Sequence, residues 1–195
     1  INSGTIWEDS ASYSRAVRIA PSYGDDSILE KCGIELIDML LKADFRVLVR
    51  PHLRTLRDST ELIDSIKKKF EKNPNFVFET GVIPFDSLNN SKCMISDWSG
   101  ISLEYAFAFE RPVIFIDVPK KILNPNSGNI SLEPIEISIR HKVGYVIQPT
   151  KIEEISNLIT LLNKNEKNSK KIRGIRSKTV YNIGKSALVG AEYIQ

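Results

Sequence analysis

Cysteine is scarce in this 195-residue chain: Cys32 and Cys93 are the only two, and both fall inside apolar-periodic stretches. Two such thiols supply neither a disulfide framework nor a thiolate metal site, so they read as small buried hydrophobes of a reducing compartment. Histidine is equally rare, at His52 and His141, and neither has Cys, Asp or Glu at ligand spacing, so no metal is expected. No apolar run approaches the roughly 18 residues of a membrane span, and no stretch reads as a secretory signal. Net charge is small, formally +3 with a pI near 8.8. That excludes the dense cationic surface nucleic acid requires and leaves phosphorylated ligands, or peripheral contact with an anionic membrane, as compatible partners. Phosphate loops of the usual kinds are missing. No Gly-x-Gly-x-x-Gly follows the first strand and no Gly-Lys-Ser/Thr occurs, so neither a dinucleotide dehydrogenase nor a P-loop nucleotidase is supported. Ser99, in Trp98-Ser99-Gly100, lacks the leading glycine of a nucleophile elbow, which discounts a serine hydrolase.

What is present is an ordinary globular composition, 42% hydrophobic and 26% charged, with length enough for one α/β domain. Short β-branched runs at 16–20, 45–49, 76–78, 93–96, 113–116 and 143–147 read as six strands. Between them, helical periodicity covers 27–43, 61–72, 84–90, 101–109 and 151–163, and two further helical pieces finish the chain. Strands alternating with helices at these lengths predict a Rossmann-like α/β fold, a mostly parallel sheet of about six strands with helices on both faces. We expect residues 1–195 to form a single domain, and the start at Ile1 without Met implies a piece of a longer polypeptide.

In open parallel sheets, ligands bind outside the carboxyl ends of the strands. That rule gathers three loops: 21–26, 50–57 and 97–102. In the third, a strand ending at Ser96-Asp97 feeds Ser99-Gly100 and then a helix, an arrangement that presents backbone N–H groups and a positive dipole end to a phosphate. Glu104 lies about one turn into that helix, where a carboxylate can accept from a ribose diol; the alternative is a capped helix with one exposed acid. In the second loop Arg50, His52, Arg54 and Arg57 crowd a strand end and could clamp a diphosphate leaving group, or form a surface ion-pair cluster. The connection 117–142, rich in Pro, Asn and Ser, is expected to fold over the same edge as a flap, and the basic stretch 164–178 to be a solvated helix face rather than a lipid contact.

Together these segments resemble one family. Ala20-Pro21-Ser22-Tyr23-Gly24-Asp25-Asp26, Val49-Arg50-Pro51-His52, and Ile95-Ser96-Asp97-Trp98-Ser99-Gly100-Ile101-Ser102-Leu103-Glu104 with Arg111-Pro112-Val113 and Tyr181-Asn182-Ile183-Gly184-Lys185-Ser186 resemble the C-terminal half of CDP-glycerol glycerophosphotransferase-like enzymes, over nearly the whole chain. The turn and its glutamate are also similar to those of non-hydrolysing UDP-N-acetylglucosamine 2-epimerases at Ser99, Gly100 and Glu104. The resemblance implies the donor-nucleotide half of a GT-B fold, with the acceptor half in the same polypeptide, and no cofactor. It implies transfer of a glycerol- or polyol-phosphate unit from CDP-glycerol to a surface polymer, in the cytoplasm at the inner face of the membrane. His52 and Arg50 would be catalytic, stabilising the departing nucleotide. Ser22, Tyr23, Gly24, Arg54, Ser96, Asp97, Ser99, Gly100, Ile101, Ser102 and Glu104 would bind the nucleotide. Where family members often continue with Pro, Leu53 follows His52, which shifts Arg54 relative to the phosphates.

A sugar-transferring or epimerising GT-B enzyme would keep the same loops and prefer a UDP-sugar. From a different class, a receiver-like module would use Asp25, Asp26 and Asp97 as an acidic Mg²⁺ pocket, but it needs a lysine directly after a late strand, where this chain has Asp117.

Overall fold

The computed structural model describes residues 15–81, 85–120, 133–162 and 167–194, apart from the side chain of Asp86. The apolar runs form β1 (Ala16–Ile19), β2 (Arg46–Val49), β3 (Phe76–Phe78), β4 (Cys93–Ser96), β5 (Val113–Ile116) and β6 (Gly144–Ile147). They make one sheet in the order β3-β2-β1-β4-β5-β6, and every neighbouring pair is parallel. This is the expected Rossmann-like α/β fold.

The period-two alternation of the strands sorts the core into two layers. Val17, Ile19, Val47, Val49, Cys93, Ile95, Ile114 and Ile116 face α1 (Ile28–Lys42) and α3 (Thr60–Phe70), supplied with Leu36, Ile37, Leu40, Ile66 and Phe70. Met94, Val113 and Phe115 point to the opposite face, against Tyr105 and Ala106 of α5 (Ile101–Phe109). Burial on both faces explains why the strands read as continuous apolar runs. At Gly144 an added Cβ would lie 2.0 Å from the carbonyl oxygen of Val113, so glycine permits the close approach of β6 to β5.

Arg18 departs from this apolar rule. It is fully buried in β1, donates to Ser91 Oγ at 3.2 Å, to Ser87 O at 2.8 Å and to Ser87 Oγ at 2.6 Å, and pairs with Glu79. Every donor of the guanidinium fork needs such a partner, because an uncompensated buried charge costs about 3–5 kcal/mol. Burial disfavours ionisation of Glu79, yet the hydrogen bonds and charge of Arg18 outweigh it and hold the carboxyl below its ordinary range. The pair ties the end of β3 and the helix α4 (Phe85–Asn89) to the middle of the sheet.

Several local expectations are corrected. The loop after β2 is short, because residues 53–58 form a helix, α2 (Leu53–Asp58), set directly before α3. The connection expected as a flap contains α6 (Ile135–Ser138) and α7 (Arg140–Val143), with His141 exposed on α7; residues 121–132 lie outside the described residues. The helix expected from 151 opens as a 3-10 turn, Pro149–Glu154, before α8 (Ile155–Leu162). In α9 (Lys167–Thr179) the basic face divides. Arg173 and Arg176 both reach Glu110, at 2.6 and 3.0 Å, whereas Lys170, Lys171 and Lys178 are exposed. α10 (Ser186–Ile194) follows. Among the described residues no helix is long and apolar enough to cross a membrane.

Candidate functional site

β1 and β4 are neighbours, but the helices that follow them, α1 and α5, pack on opposite faces of the sheet. Divergence of the two connections opens a crevice at the carboxyl end of this pair. Its floor is set by Asp97. That residue is 1% exposed; Oδ1 accepts the backbone N–H of Ser22 at 2.6 Å and Oδ2 accepts that of Ile28 at 3.1 Å. One carboxylate thus fixes both ends of the loop between β1 and α1. Ser96 extends the seam by donating from Oγ to the carbonyl of Ala20 at 2.7 Å, and Ser102 donates from Oγ to Ser99 O at 2.7 Å. Ser96, Asp97 and Ser102 are buried and shape the loops from beneath. Both Asp97 oxygens are thus engaged by backbone donors of the loop between β1 and α1.

Over this floor stands the N-terminus of α5. The first helical hydrogen bonds are Ser102 N–H to Ser99 O and Leu103 N–H to Gly100 O, both 3.1 Å. The N–H groups of Gly100 and Ile101 precede them and have no acceptor within the helix, so they are available to an anion at the positive end of the helix dipole. A Cβ added at Gly100 would meet nothing within 4 Å, which leaves the backbone open to close approach.

The opposite wall comes from the end of β2. His52 caps α2: its Nδ1 accepts the backbone N–H of Arg54 at 3.1 Å. An Nδ1 that accepts carries no proton, so the ring proton of the neutral side chain sits on Nε2. Tyr23 stacks on His52 with ring centroids 4.6 Å apart, and the Arg54 guanidinium lies 4.5 Å from the Tyr23 ring centroid. Arg50 donates from Nη2 to Gly81 O, and burial lowers its pKa from the ordinary arginine value while nearby Glu79 counters.

These groups line adjoining cavities. One of about 350 Å³ is bounded by Ser22, Tyr23, His52, Trp98, Ser99 and Gly100 on the strand side, and by Lys120, Pro134, Glu136 and Ile137 across from them. A second, of about 220 Å³, runs between Arg50, His52, Leu53, Ser99 and Ile101. A third, of about 110 Å³, contains Gly24, Asp25 and Asp26 beside Trp98. His52 and Ser99 belong to both of the larger two. Glu104 and Arg54 line none of these three; both are exposed, Glu104 one turn along α5 and Arg54 over Tyr23. Among the described residues, no group of three or more His, Cys, Asp or Glu is placed to hold a metal.

Five residues lining the 350 Å³ cavity escaped the sequence reading as site residues: Trp98, Lys120, Pro134, Glu136 and Ile137. Trp98 sits inside the turn motif and carried a usable signal. The others come from the two described ends of the 117–142 connection, and no periodicity in that segment announces which side chains fold inward.

No family model matches the chain, and no curated protein matches it. Solved structures do. A glycosyltransferase of kitacinnamycin aligns over 88% of this chain and 40% of its own, at 11% identity and a TM-score of 0.55. Staphylococcus aureus TarM, solved as a variant with fondaparinux, α-GlcNAc-glycerol and UDP, aligns over 86% of this chain and 33% of its own, at 18% identity and 0.54. The UDP-GlcNAc 2-epimerase of Methanocaldococcus jannaschii, with UDP-GlcNAc and UDP, aligns over 90% and 49%, at 12% identity and 0.52. The chain therefore spans between a third and a half of the length of these proteins. Its six-stranded parallel sheet with helices on both faces is the Rossmann-like α/β fold that these solved structures share.

Proposed function

We propose that this chain is the donor-binding half of a GT-B transferase, gripping a nucleoside diphosphate whose distal end carries the group to be transferred. The observation that carries the reading is the convergence of His52, Arg50 and the Ser99-Gly100-Ile101 turn on two cavities that share His52 and Ser99 at the switch point of the sheet. Each contributes a donor suited to a diphosphate: the imidazole N–H, a guanidinium and two backbone N–H groups. TarM and the epimerase, which share the fold, were each solved with UDP.

Within this reading the finer assignment is glycerophosphotransfer, resting on the resemblance of the loop sequences to CDP-glycerol enzymes. An acceptor hydroxyl oxygen attacks the phosphorus bearing the glycerol, and its proton passes to a base. The bond from that phosphorus to the bridging oxygen breaks, and CMP departs with the electron pair. Charge develops on the leaving phosphate, so preorganised donors lower the barrier. His52 and Arg50 act from one side and the Gly100 and Ile101 amides from the other. Glu104 takes the ribose diol, and Ser22, Tyr23 and Gly24 line the approach. The acceptor half and the activating base belong to another part of the polypeptide, so this chain binds donor without turning it over. A peripheral place at the inner face of the membrane goes with the polymer acceptor.

A nucleotide-sugar donor is the second reading, favoured by the fold shared with TarM and the epimerase. Calorimetric titration with CDP, CDP-glycerol, UDP and UDP-GlcNAc separates the two by base preference. Binding of none of them overturns the donor-half reading itself.

A further inference from the structure

In the larger cavity, five lining residues, Trp98, Lys120, Pro134, Glu136 and Ile137, have no part among the groups assigned so far. Its back wall is Trp98, and that indole is held on several sides. Nε1 donates to Val118 O at 3.0 Å, and the Arg140 guanidinium lies 3.9 Å from the ring centroid. Arg140 is itself buried at 4% exposure; it bonds Asp117 Oδ1 at 2.9 Å and lies 5.1 Å from the centroid of Phe115. The Trp98 side chain cannot rotate away without uncovering that buried charge. A flat apolar surface fixed in this way, with Tyr23, Pro134 and Ile137 around it and the charges of Glu136 and Lys120 at its rim, is a built wall rather than incidental packing.

Resting on the donor-half reading, we propose that this compartment receives the polyhydroxylated end of the donor beyond the diphosphate, the polyol or sugar. Trp98 supplies the surface for its C–H edges, and the Glu136 carboxylate accepts from its hydroxyls. Direction along the donor follows from helix geometry. Ile101 lines the 220 Å³ cavity beside Arg50, and Glu104, three residues on, shares its side of α5. The nucleoside leaves the diphosphate toward Ile101 and Glu104. The other end, past His52 and Ser99, enters the cavity of Trp98 and Glu136. The Glu136 carboxylate accepts hydroxyl donors, and hydrogen bonds to a charged partner are stronger than those between neutral groups.

The test compares binding of a complete donor with binding of its nucleoside diphosphate alone, by calorimetry on the parent chain, Trp98→Ala and Glu136→Gln. CDP-glycerol against CDP is the first pair and UDP-GlcNAc against UDP the second, scored on whichever the parent binds. Both variants should weaken the complete donor by about tenfold and leave the nucleoside diphosphate within about twofold of the parent. Glu136 is exposed, so Glu136→Gln keeps the fold even where Trp98→Ala loosens it. Equal weakening of both ligands would mean that the compartment holds the nucleobase, and no change in either would mean that it stands outside the site; each overturns this inference while leaving the donor-half reading intact. A parent chain that binds no nucleotide overturns both.

Discussion

Nδ1 of His52 accepts the backbone N–H of Arg54 at 3.1 Å, so the same imidazole that faces the cavities also begins the helix α2. Capping and ligand contact are separable by substitution. His52→Ala should cost about 1 kcal/mol of stability through the lost cap and also weaken nucleotide binding. His52→Asn restores a side-chain acceptor at the cap, and should recover the thermal midpoint without recovering affinity. Recovery of both by asparagine would show that His52 serves the helix alone.

Asp97 predicts the converse pattern. Replacing it with alanine leaves the N–H groups of Ser22 and Ile28 without their acceptor. The cost is about 1–3 kcal/mol for each donor left buried and unpaired. Asp97→Asn, with one acceptor oxygen, should fall between alanine and the parent in denaturant unfolding. A stable Asp97→Ala protein would remove the carboxylate from its place as the tie between the loops.

Gly100 and Glu104 test the ligand side without touching the core. An alanine at Gly100 meets no neighbour and the backbone there is already helical at φ −59°, so stability should hold or rise by up to about 1 kcal/mol. Nucleotide affinity should nevertheless fall, because the new methyl stands where a phosphate approaches. Glu104→Ala, at an exposed position, should alter stability by no more than about 0.5 kcal/mol and weaken ribonucleotides more than their 2′-deoxy counterparts. If both variants bind as the parent does, the phosphate and ribose assignments at α5 are wrong.

The two thiols set an alkaline limit on stability. Burial pushes Cys32 up from 9.0 to about 11, with Glu35 and Asp97 adding to the shift, and pushes Cys93 up to about 12. A thiol that ionises more readily in the unfolded chain stabilises the fold fully below pH 9 and ceases to do so as pH rises through the folded values. Unfolding free energy should therefore decline above pH 9, and Cys93→Ala should flatten part of that decline. Alkylation at neutral pH should proceed only with unfolding; rapid labelling of the native chain would contradict the burial of both sulfurs.

How much of this was visible beforehand differs from residue to residue. Val113–Ile116 and Cys93–Ser96 announce buried parallel strands because burial on both faces demands an unbroken apolar run. α2 was hidden, since Leu53–Asp58 is polar, spans barely more than one turn and has a histidine for its cap. Arg18 was equally hidden: its partners Glu79, Ser87 and Ser91 lie 61 to 73 positions away, and nothing local marks an arginine as core. The turn at Ser99 and Gly100 and the histidine after β2, which line the cavities, could be placed at the strand ends from sequence because ligands in such sheets are expected there.

The alternation of apolar strands with amphipathic helices is a local property of the chain, and it alone determined the parallel sheet and the edge at which a ligand would bind. Only the tertiary structure decided which polar residues at that edge line the cavities and which hold the loops together. Asp97 and Ser99 stand two positions apart in one motif, yet Asp97 is turned inward onto the N–H groups of Ser22 and Ile28 while Ser99 lines the cavities. That division depends on partners 69 to 75 residues distant, whose positions no local pattern encodes. Trp98 and Glu136, 38 positions apart, likewise line one cavity only through the tertiary structure.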